Sequence, residues 1–505
     1  MIDSSFKSLG SSVLHDLSMK SWQRGIVNFF SESIPFSFSS GNEYADLVVK
    51  MIQLFSEHLN QSINIVEFGS GNGVFAKKCI QKLNDSSVSF HYLVTENIAS
   101  LVADFDSIPI ISHSNHVESK LVDIHNVQLD QPFHVGILTY LLDTFPVKTL
   151  ELREGQLFEW MVSVSVKDDA ILQFMCDGDL VTWKKDDIDV FLSNPITDNM
   201  VSVLSRIHDC LDIVWESQPC SALALDSTGI LDAWLQKQAK TDQGFFNFSS
   251  AWWEMLDSLQ TQMADNFMLL CYDFASINVS QSKDYLDSFG RFGICYFYSI
   301  PFFLLQEYCD RHNLQFISSQ FPDSENQMGV ITRLKSMTFK RDVTALLDTT
   351  EPGQDVYGYT LKIQEANSLD SCLEFVREAK QSLTLDQQSD YVFLFSIASK
   401  LYEFGCYDQV IHYTDFILFD YGGFSLNAIL LKSKALRKTG FIKDALSLVD
   451  MGLKHASSYD LLYLEKAFIA QELNQMDVVK ESLTLYFDTV MGNPQWQLLD
   501  LLKSL

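Results

Sequence analysis

No CxxC pair occurs among the nine cysteines, which are scattered along the chain. That scatter argues against both a zinc site and a disulfide framework, and it makes a reducing cytoplasm the expected compartment. Absent too is any run of about 18 uncharged apolar residues, so no membrane association is expected. The opening MIDSSFKSLGSSVLHDLSMKSW lacks a positive stretch followed by an apolar core and does not read as a secretory signal. Positive charge is scarce: 36 Lys and Arg stand against 65 Asp and Glu, a formal net charge of -29. An acidic surface repels phosphate backbones, so nucleic acid is not an expected partner. Residues 366–505 hold 18 acidic and 12 basic side chains, a net of -6, which leaves -23 in the first 365. Such a charge keeps a protein soluble and can also attract a basic protein segment.

What the chain does have is enough apolar material for more than one core. Its 505 residues exceed a single compact domain. The 47% apolar and 20% charged content is that of a globular protein. In the first two-thirds, strand-like and helix-like segments alternate. SINIVEF, FHYLVTE, HVGILTYLL and AILQFMC are short β-rich runs. Between the first two lies GVFAKKCIQKL, whose Val74, Phe75, Cys79, Ile80 and Leu83 fall at helical spacing. EYADLVVKMIQLFSEHL upstream reads as one amphipathic helix. Strand, glycine turn, helix, strand is the unit of a doubly wound parallel sheet. The expected fold class is therefore α/β, Rossmann-like, followed by an all-α part.

That all-α part shows a repeat. Gly405, Gly440 and Asn474 stand 35 and 34 residues apart. Each is followed two residues on by Tyr407, Ile442 or Met476, and five on by Val410, Ala445 or Val479. A unit of about 34 residues with Gly at its turn resembles the tetratricopeptide repeat. Asn is compatible with the left-handed turn position that Gly favours. SCLEFVREAKQSL reads as a leading half-repeat and PQWQLLDLLKSL as a closing helix. Polar, irregular TTEPGQDVYGYT reads as part of a linker. The expected division is 1–335, linker 336–365, and repeats 366–505, with a protein or peptide partner in the groove that stacked helix pairs form.

The chemistry-bearing stretch is NIVEFGSGNGVF. Gly69, Gly71 and Gly73 alternate directly after a strand, where a backbone free of Cβ can bend and approach a ligand. Dinucleotide folds place G-x-G-x-x-G there, with pyrophosphate on the helix N-terminus. Here Glu67 precedes the glycines; a carboxylate repels pyrophosphate and suits an α-amino group. S-adenosylmethionine has that group, a sulfonium and no phosphate, and the pattern resembles the first motif of class I methyltransferases. Glu96, at the tip of the next strand and 23 residues beyond Gly73, is placed to accept both ribose hydroxyls.

VEFGSGNGVFAKKCIQKL, YLVTENIASLVADF, ILTYLLDTFPVKTL and GQLFEWMVSV together resemble the MidA-type methyltransferases, relatives of the mitochondrial complex I assembly arginine methyltransferase. MLLCYDFAS fits the family's later strand, and FSFSSGNEYADLVVKMIQLF its upstream segment, with Glu43 at the acidic position. The resemblance runs from about Trp22 to Arg333. It implies S-adenosylmethionine as cofactor and a protein side chain such as arginine as acceptor. Two departures stand out: Thr139-Tyr140 replaces an Asn-Glu pair, and GICYFYSIPFFLL replaces a block carrying Asp and His. Asp143 and Pro146 keep their places. Asp143 and the Tyr140 hydroxyl are then the candidates on the acceptor side, since a guanidinium pairs with carboxylates. A fold retained as a binding platform without turnover, and a small-molecule acceptor, remain open alternatives.

Other constellations are set aside. His113, His116 and His125 lack further partners for a metal site. Trp252 and Trp253 read as packing, GRFGICYFYSIPFFLL as a buried strand and its following helix, and LREGQLFEW as a hairpin.

Overall fold

The computed structural model describes residues 5–22, 38–59, 61–176, 179–194, 201–292, 295–321, 324–349, 351–422, 425–490 and 494–504. Phe36 and Ser37 of the upstream segment, and Thr350 of the expected linker, lie outside the described residues. Helices α1 (Val13–Trp22) and α2 (Asn42–Ser56) precede strand β1 (Ile63–Phe68), helix α3 (Val74–Asn84), and strands β2 (Phe90–Glu96), β3 (Val117–Leu121) and β4 (Phe133–Thr139). An antiparallel excursion follows in β5 (Lys148–Arg153), β6 (Gln156–Val166), β7 (Leu211–Cys220) and β8 (Gly244–Phe248). Helix α4 (Ser250–Gln262) leads into the long strand β9 (Met263–Ser276), helix α5 (Phe302–Arg311), and a closing hairpin of β10 (Gln315–Ser318) and β11 (Asn326–Thr332).

The main sheet has the order β10-β11-β9-β4-β1-β2-β3. Strands β3, β2, β1, β4 and β9 run parallel, and β11 lies antiparallel between β9 and β10. This is the doubly wound α/β frame expected from the sequence. Five of the six residues of β1 are buried, so both faces of the strand must be apolar except where chemistry intervenes. Helix α2 buries Tyr44, Val48, Met51, Ile52 and Phe55, a stripe at helical spacing facing the sheet. The β5–β6 hairpin turns at Glu154 and Gly155, both at positive φ, and belongs to a separate four-stranded sheet of order β8-β5-β6-β7. AILQFMC pairs with residues 179–184 in its own two-stranded hairpin and not in the main sheet. Trp252 and Trp253 are each 1% exposed, packed in the core as expected.

The stretch expected to be irregular, 336–365, folds instead into two helices, α6 (Met337–Leu347) and α7 (Gln354–Glu365). Ser336 caps α6 by accepting the Phe339 N–H at 3.2 Å, and Phe339 packs edge-on against Phe55 of α2. Gly353, at φ +87°, starts α7, whose Val356, Thr360 and Ile363 are buried. A polar surface face concealed this stripe from a reading by composition.

Among the described residues, eight helices of at least two turns follow, with one short turn of helix at Leu385–Gln388 between the first two: α8 (Leu369–Ser382), α9 (Tyr391–Glu403), α10 (Tyr407–Tyr421), α11 (Leu426–Lys438), α12 (Ile442–His455), α13 (Asp460–Glu472), α14 (Met476–Thr489) and α15 (Gln497–Ser504). Gly405, Gly440 and Asn474 occupy the turns of α9–α10, α11–α12 and α13–α14, with φ of +74°, +88° and +59°. Val410, Ala445 and Val479 are at most 1% exposed, which lets each pair close tightly. The array is fastened to the helix after the glycine turn. Lys78 on α3 is 2% exposed; its Nζ donates to Asn42 Oδ1 at 3.0 Å, Asp420 Oδ2 at 2.9 Å and the Tyr421 hydroxyl at 3.2 Å. The same ammonium sits 4.3 Å from the centre of the Tyr421 ring.

Candidate functional site

Parallel strands β1 and β4 are neighbours whose connections run to opposite sides, and the crevice beyond their carboxyl ends is where doubly wound sheets bind ligands. A cavity of about 520 Å³ opens there. The glycine turn forms one wall. Gly69, Gly71 and Gly73 have φ of +67°, +56° and +73°, so all three hold the left-handed conformation that side chains resist. Gly69 and Gly71 line the cavity. Gly73 does not; it is the residue before α3, where a Cβ would come within 3.0 Å of Ile108 and Phe105. Its part is to shape the turn.

Glu67, the next-to-last residue of β1, is 3% exposed and accepts the Tyr92 hydroxyl at 2.6 Å. Burial pushes its carboxyl up to about 7, against the opposing pull of the Tyr92 hydrogen bond. Glu96 ends β2 at 6% exposure. Its Oε2 accepts the Gly71 N–H at 2.9 Å, and its Oε1 accepts Asn97 N–H at 2.7 Å and Ile98 N–H at 3.3 Å. Burial raises this carboxyl too, while the three backbone donors resist the rise. Glu96 thus braces the glycine turn. Ser70 N–H to Thr95 O at 2.9 Å, and the Thr95 hydroxyl to Glu67 O at 2.7 Å, close the same corner.

The opposite wall comes from the segment after β4. Tyr140 has φ +47°, an uncommon conformation for a bulky side chain. Its N–H donates to Tyr272 O at 2.8 Å, and its hydroxyl donates to Asn326 Oδ1 at 3.0 Å. Asp143 is 3% exposed, and its Oδ1 has no hydrogen-bond partner among the described residues. Behind it stands Asp273, 1% exposed, whose Oδ2 accepts the N–H groups of Leu142 at 3.0 Å and Asp143 at 3.3 Å. Burial pushes both carboxyls up, and the Asp143 charge adds to the rise for Asp273. The expected site residues Glu67, Gly69, Gly71, Glu96, Tyr140 and Asp143 therefore all line one cavity.

Several lining residues were not anticipated. Tyr272 lines the cavity from near the carboxyl end of β9, with Asp273 next to it behind the wall, a position that carries ligand chemistry in such sheets, and that signal was readable. Glu351, Pro352, Gln354 and Tyr357 come from the stretch read as a linker. The Tyr272 hydroxyl and Asn326 Nδ2 donate to Glu351 Oε1 at 2.8 and 3.0 Å. Cys295 and Phe297, from the block that departs from the family pattern, line it as well. The rings of Tyr272, Tyr140, Phe274 and Phe297 follow one another in that order with centroids 4.3 to 5.3 Å apart. Four carboxyls line the cavity, Glu67, Glu96, Asp143 and Glu351, and no Lys, Arg or His does among the described residues.

Elsewhere, among the described residues, no group of three or more His, Cys, Asp or Glu is placed to hold a metal, and no helix is long and apolar enough to cross a membrane. His116 instead lies 3.0 Å from Asn84 Oδ1.

No family model matches the sequence, and no curated protein matches it. Solved structures do match. An uncharacterised protein from Burkholderia thailandensis is 11% identical, over 68% of this chain and 96% of that one, with a TM-score of 0.39. A member of the same superfamily from that organism, bound to S-adenosyl-homocysteine, is 12% identical over 68% and 89%, with a TM-score of 0.42. Magnesium protoporphyrin IX methyltransferase from Synechocystis, with bound S-adenosylmethionine, is 8% identical over 64% and 95%, with a TM-score of 0.30. Likenesses this distant concern the overall fold, and the functional reading rests on the geometry above.

Proposed function

We propose that this cavity binds S-adenosylmethionine and that the protein methylates a nitrogen on a protein side chain such as arginine. One observation carries the reading: a cavity at the sheet's switch point walled by carboxyls and aromatic rings, with no basic side chain among its described residues. Phosphate-bearing cofactors are repelled by such a wall, whereas a ligand with an ammonium and a sulfonium is attracted. The residues fit that ligand. Three left-handed glycines let the backbone come close, Glu67 faces an amino group, and Glu96 retains lone pairs for a ribose beside its backbone donors. S-adenosylmethionine supplies an electrophilic methyl group on sulfur. The chain's task is then positioning, exclusion of water by the aromatic wall, and reception of the proton that the acceptor nitrogen loses. Asp143, with its orphaned Oδ1, is the group placed to take that proton.

In this reading residues 1–335 are the catalytic domain, 336–365 join it to the array, and 366–505 are tetratricopeptide-like repeats that dock the target protein. The compartment is the cytoplasm. A second reading has one observation in its favour. Both Glu96 oxygens already hold backbone donors, as they would in a fold kept as an interaction platform.

Calorimetric titration with S-adenosyl-homocysteine, followed by transfer of labelled methyl from S-adenosylmethionine to proteins of a cell extract, separates the two. Binding together with labelled protein supports the enzyme. Binding without labelled product favours the platform, and no binding at millimolar ligand overturns the cofactor assignment.

A further inference from the structure

Glu351 reaches the cavity from outside the α/β sheet, and its surroundings are built rather than incidental. Its Oε1 is fixed by the Tyr272 hydroxyl and Asn326 Nδ2, while its Oε2 has no hydrogen bond among the described residues. Asn326 is itself held through Oδ1 by the strained Tyr140. The backbone that carries Glu351 is tied down two residues later, where Gly353 N–H donates to Glu43 Oε2 at 2.9 Å. Glu43 Oε1 accepts Gln387 Nε2 at 2.9 Å, so the same carboxylate links this segment to the connection between α8 and α9 of the helical array. On the sheet side, Asp143 offers a second unsatisfied oxygen at 3% exposure, lining the same cavity. Aromatic rings of Tyr140, Tyr272, Phe274 and Phe297 flank the space.

We propose that Glu351 is a specificity-determining residue that admits a cationic nitrogen group, guanidinium or ammonium, to the acceptor side of the cavity. The inference deepens the methyltransferase reading and names the charge of its acceptor. A carboxylate with one oxygen locked and the other open presents a fixed lone pair to a cation, and the rings add attraction to the same charge. An anionic acceptor meets two carboxyls and no compensating cation. Because Glu43 joins the Glu351 segment to Gln387, the array helps to hold that segment in place beside the cavity.

The full-length protein is saturated with S-adenosyl-homocysteine, and n-butylguanidinium, n-butylammonium and n-butyl phosphate are compared as probes by saturation-transfer NMR. Wild type is expected to retain both cations and not the phosphate. Glu351→Gln keeps an acceptor for Tyr272 and Asn326, so the fold and the S-adenosyl-homocysteine affinity should be unchanged while cation binding weakens at least about tenfold. Glu325→Gln, a neighbouring carboxylate that does not line the cavity, serves as control and should bind as wild type. Cation binding unaltered in Glu351→Gln, or butyl phosphate bound as well as the cations, overturns the proposal. If S-adenosyl-homocysteine fails to bind but the cations still depend on Glu351, the cofactor reading falls and the cation site stands.

Discussion

Glu67 offers the sharpest test of the cofactor side, because its protonation and its ligand are linked. Burial pushes its carboxyl up to about 7, against the pull of the Tyr92 hydroxyl. An S-adenosyl ligand presents the α-ammonium of a free amino acid, which stays charged through neutral pH. Pairing needs the carboxylate, so binding must displace the proton held at lower pH. With a pKa of about 7, the ionised fraction is about three quarters at pH 7.5 and about a tenth at pH 6, so affinity should fall about eightfold between them. Near pH 7 about half a proton should leave per ligand bound, which calorimetry in buffers of different ionisation heat reads directly. Methylthioadenosine lacks the amino-acid part and isolates the effect: it shares any Glu96 contribution but not that of Glu67. Glu67→Gln should weaken S-adenosyl-homocysteine roughly 30-fold, about 2 kcal/mol, and flatten the difference between the two ligands. Equal pH slopes for both ligands in the wild type, or a slope that survives in Glu67→Gln, would refute the pairing.

The same burial has a stability consequence. The folded pKa of Glu67 lies above the ordinary glutamate value of 4.5, so its contribution is fully present below about pH 4.5 and lost as pH rises through about 7, a change of about 3 kcal/mol; Glu67→Gln should therefore gain urea midpoint over wild type at pH 8 relative to pH 5. Asp143→Asn should show the same sign, stabilising most at high pH by relieving the buried pair with Asp273, while abolishing methyl transfer. Gly73→Ala, forced to φ +73° and against Ile108 and Phe105, should cost about 1–3 kcal/mol in urea unfolding; a loss under about 0.5 kcal/mol contradicts the turn assignment. Gly440→Ala meets no atom within 4 Å, so its cost of about 1 kcal/mol comes from φ alone, and Asn474→Gly should be neutral or stabilising. Lys78→Met should loosen the array from α3 by about 2–4 kcal/mol, seen as faster proteolysis within 349–357.

Local rules made much of this protein legible. Three alternate glycines after a strand let the backbone take left-handed turns, and all three adopt one. Periods of 34 and 35 residues announced the turns at Gly405, Gly440 and Asn474, because only backbone without a Cβ, or Asn, fits there cheaply. The first strands and the helix between them follow from short β-rich runs and helical spacing alone. Three things required the tertiary structure. One was Glu351, whose segment looks like a linker because its polar face dominates its composition while its buried stripe is only Val356, Thr360 and Ile363. Another was the raised carboxyls of Glu67, Asp143 and Asp273, since desolvation depends on what the rest of the chain packs over them. The last was the seat of the helical array on Lys78, a lysine at an ordinary helical position that only folding surrounds with Asn42, Asp420 and Tyr421. Propensity and period are properties of neighbours along the chain; burial and electrostatic environment are properties of neighbours in space, and no stretch of sequence contains them.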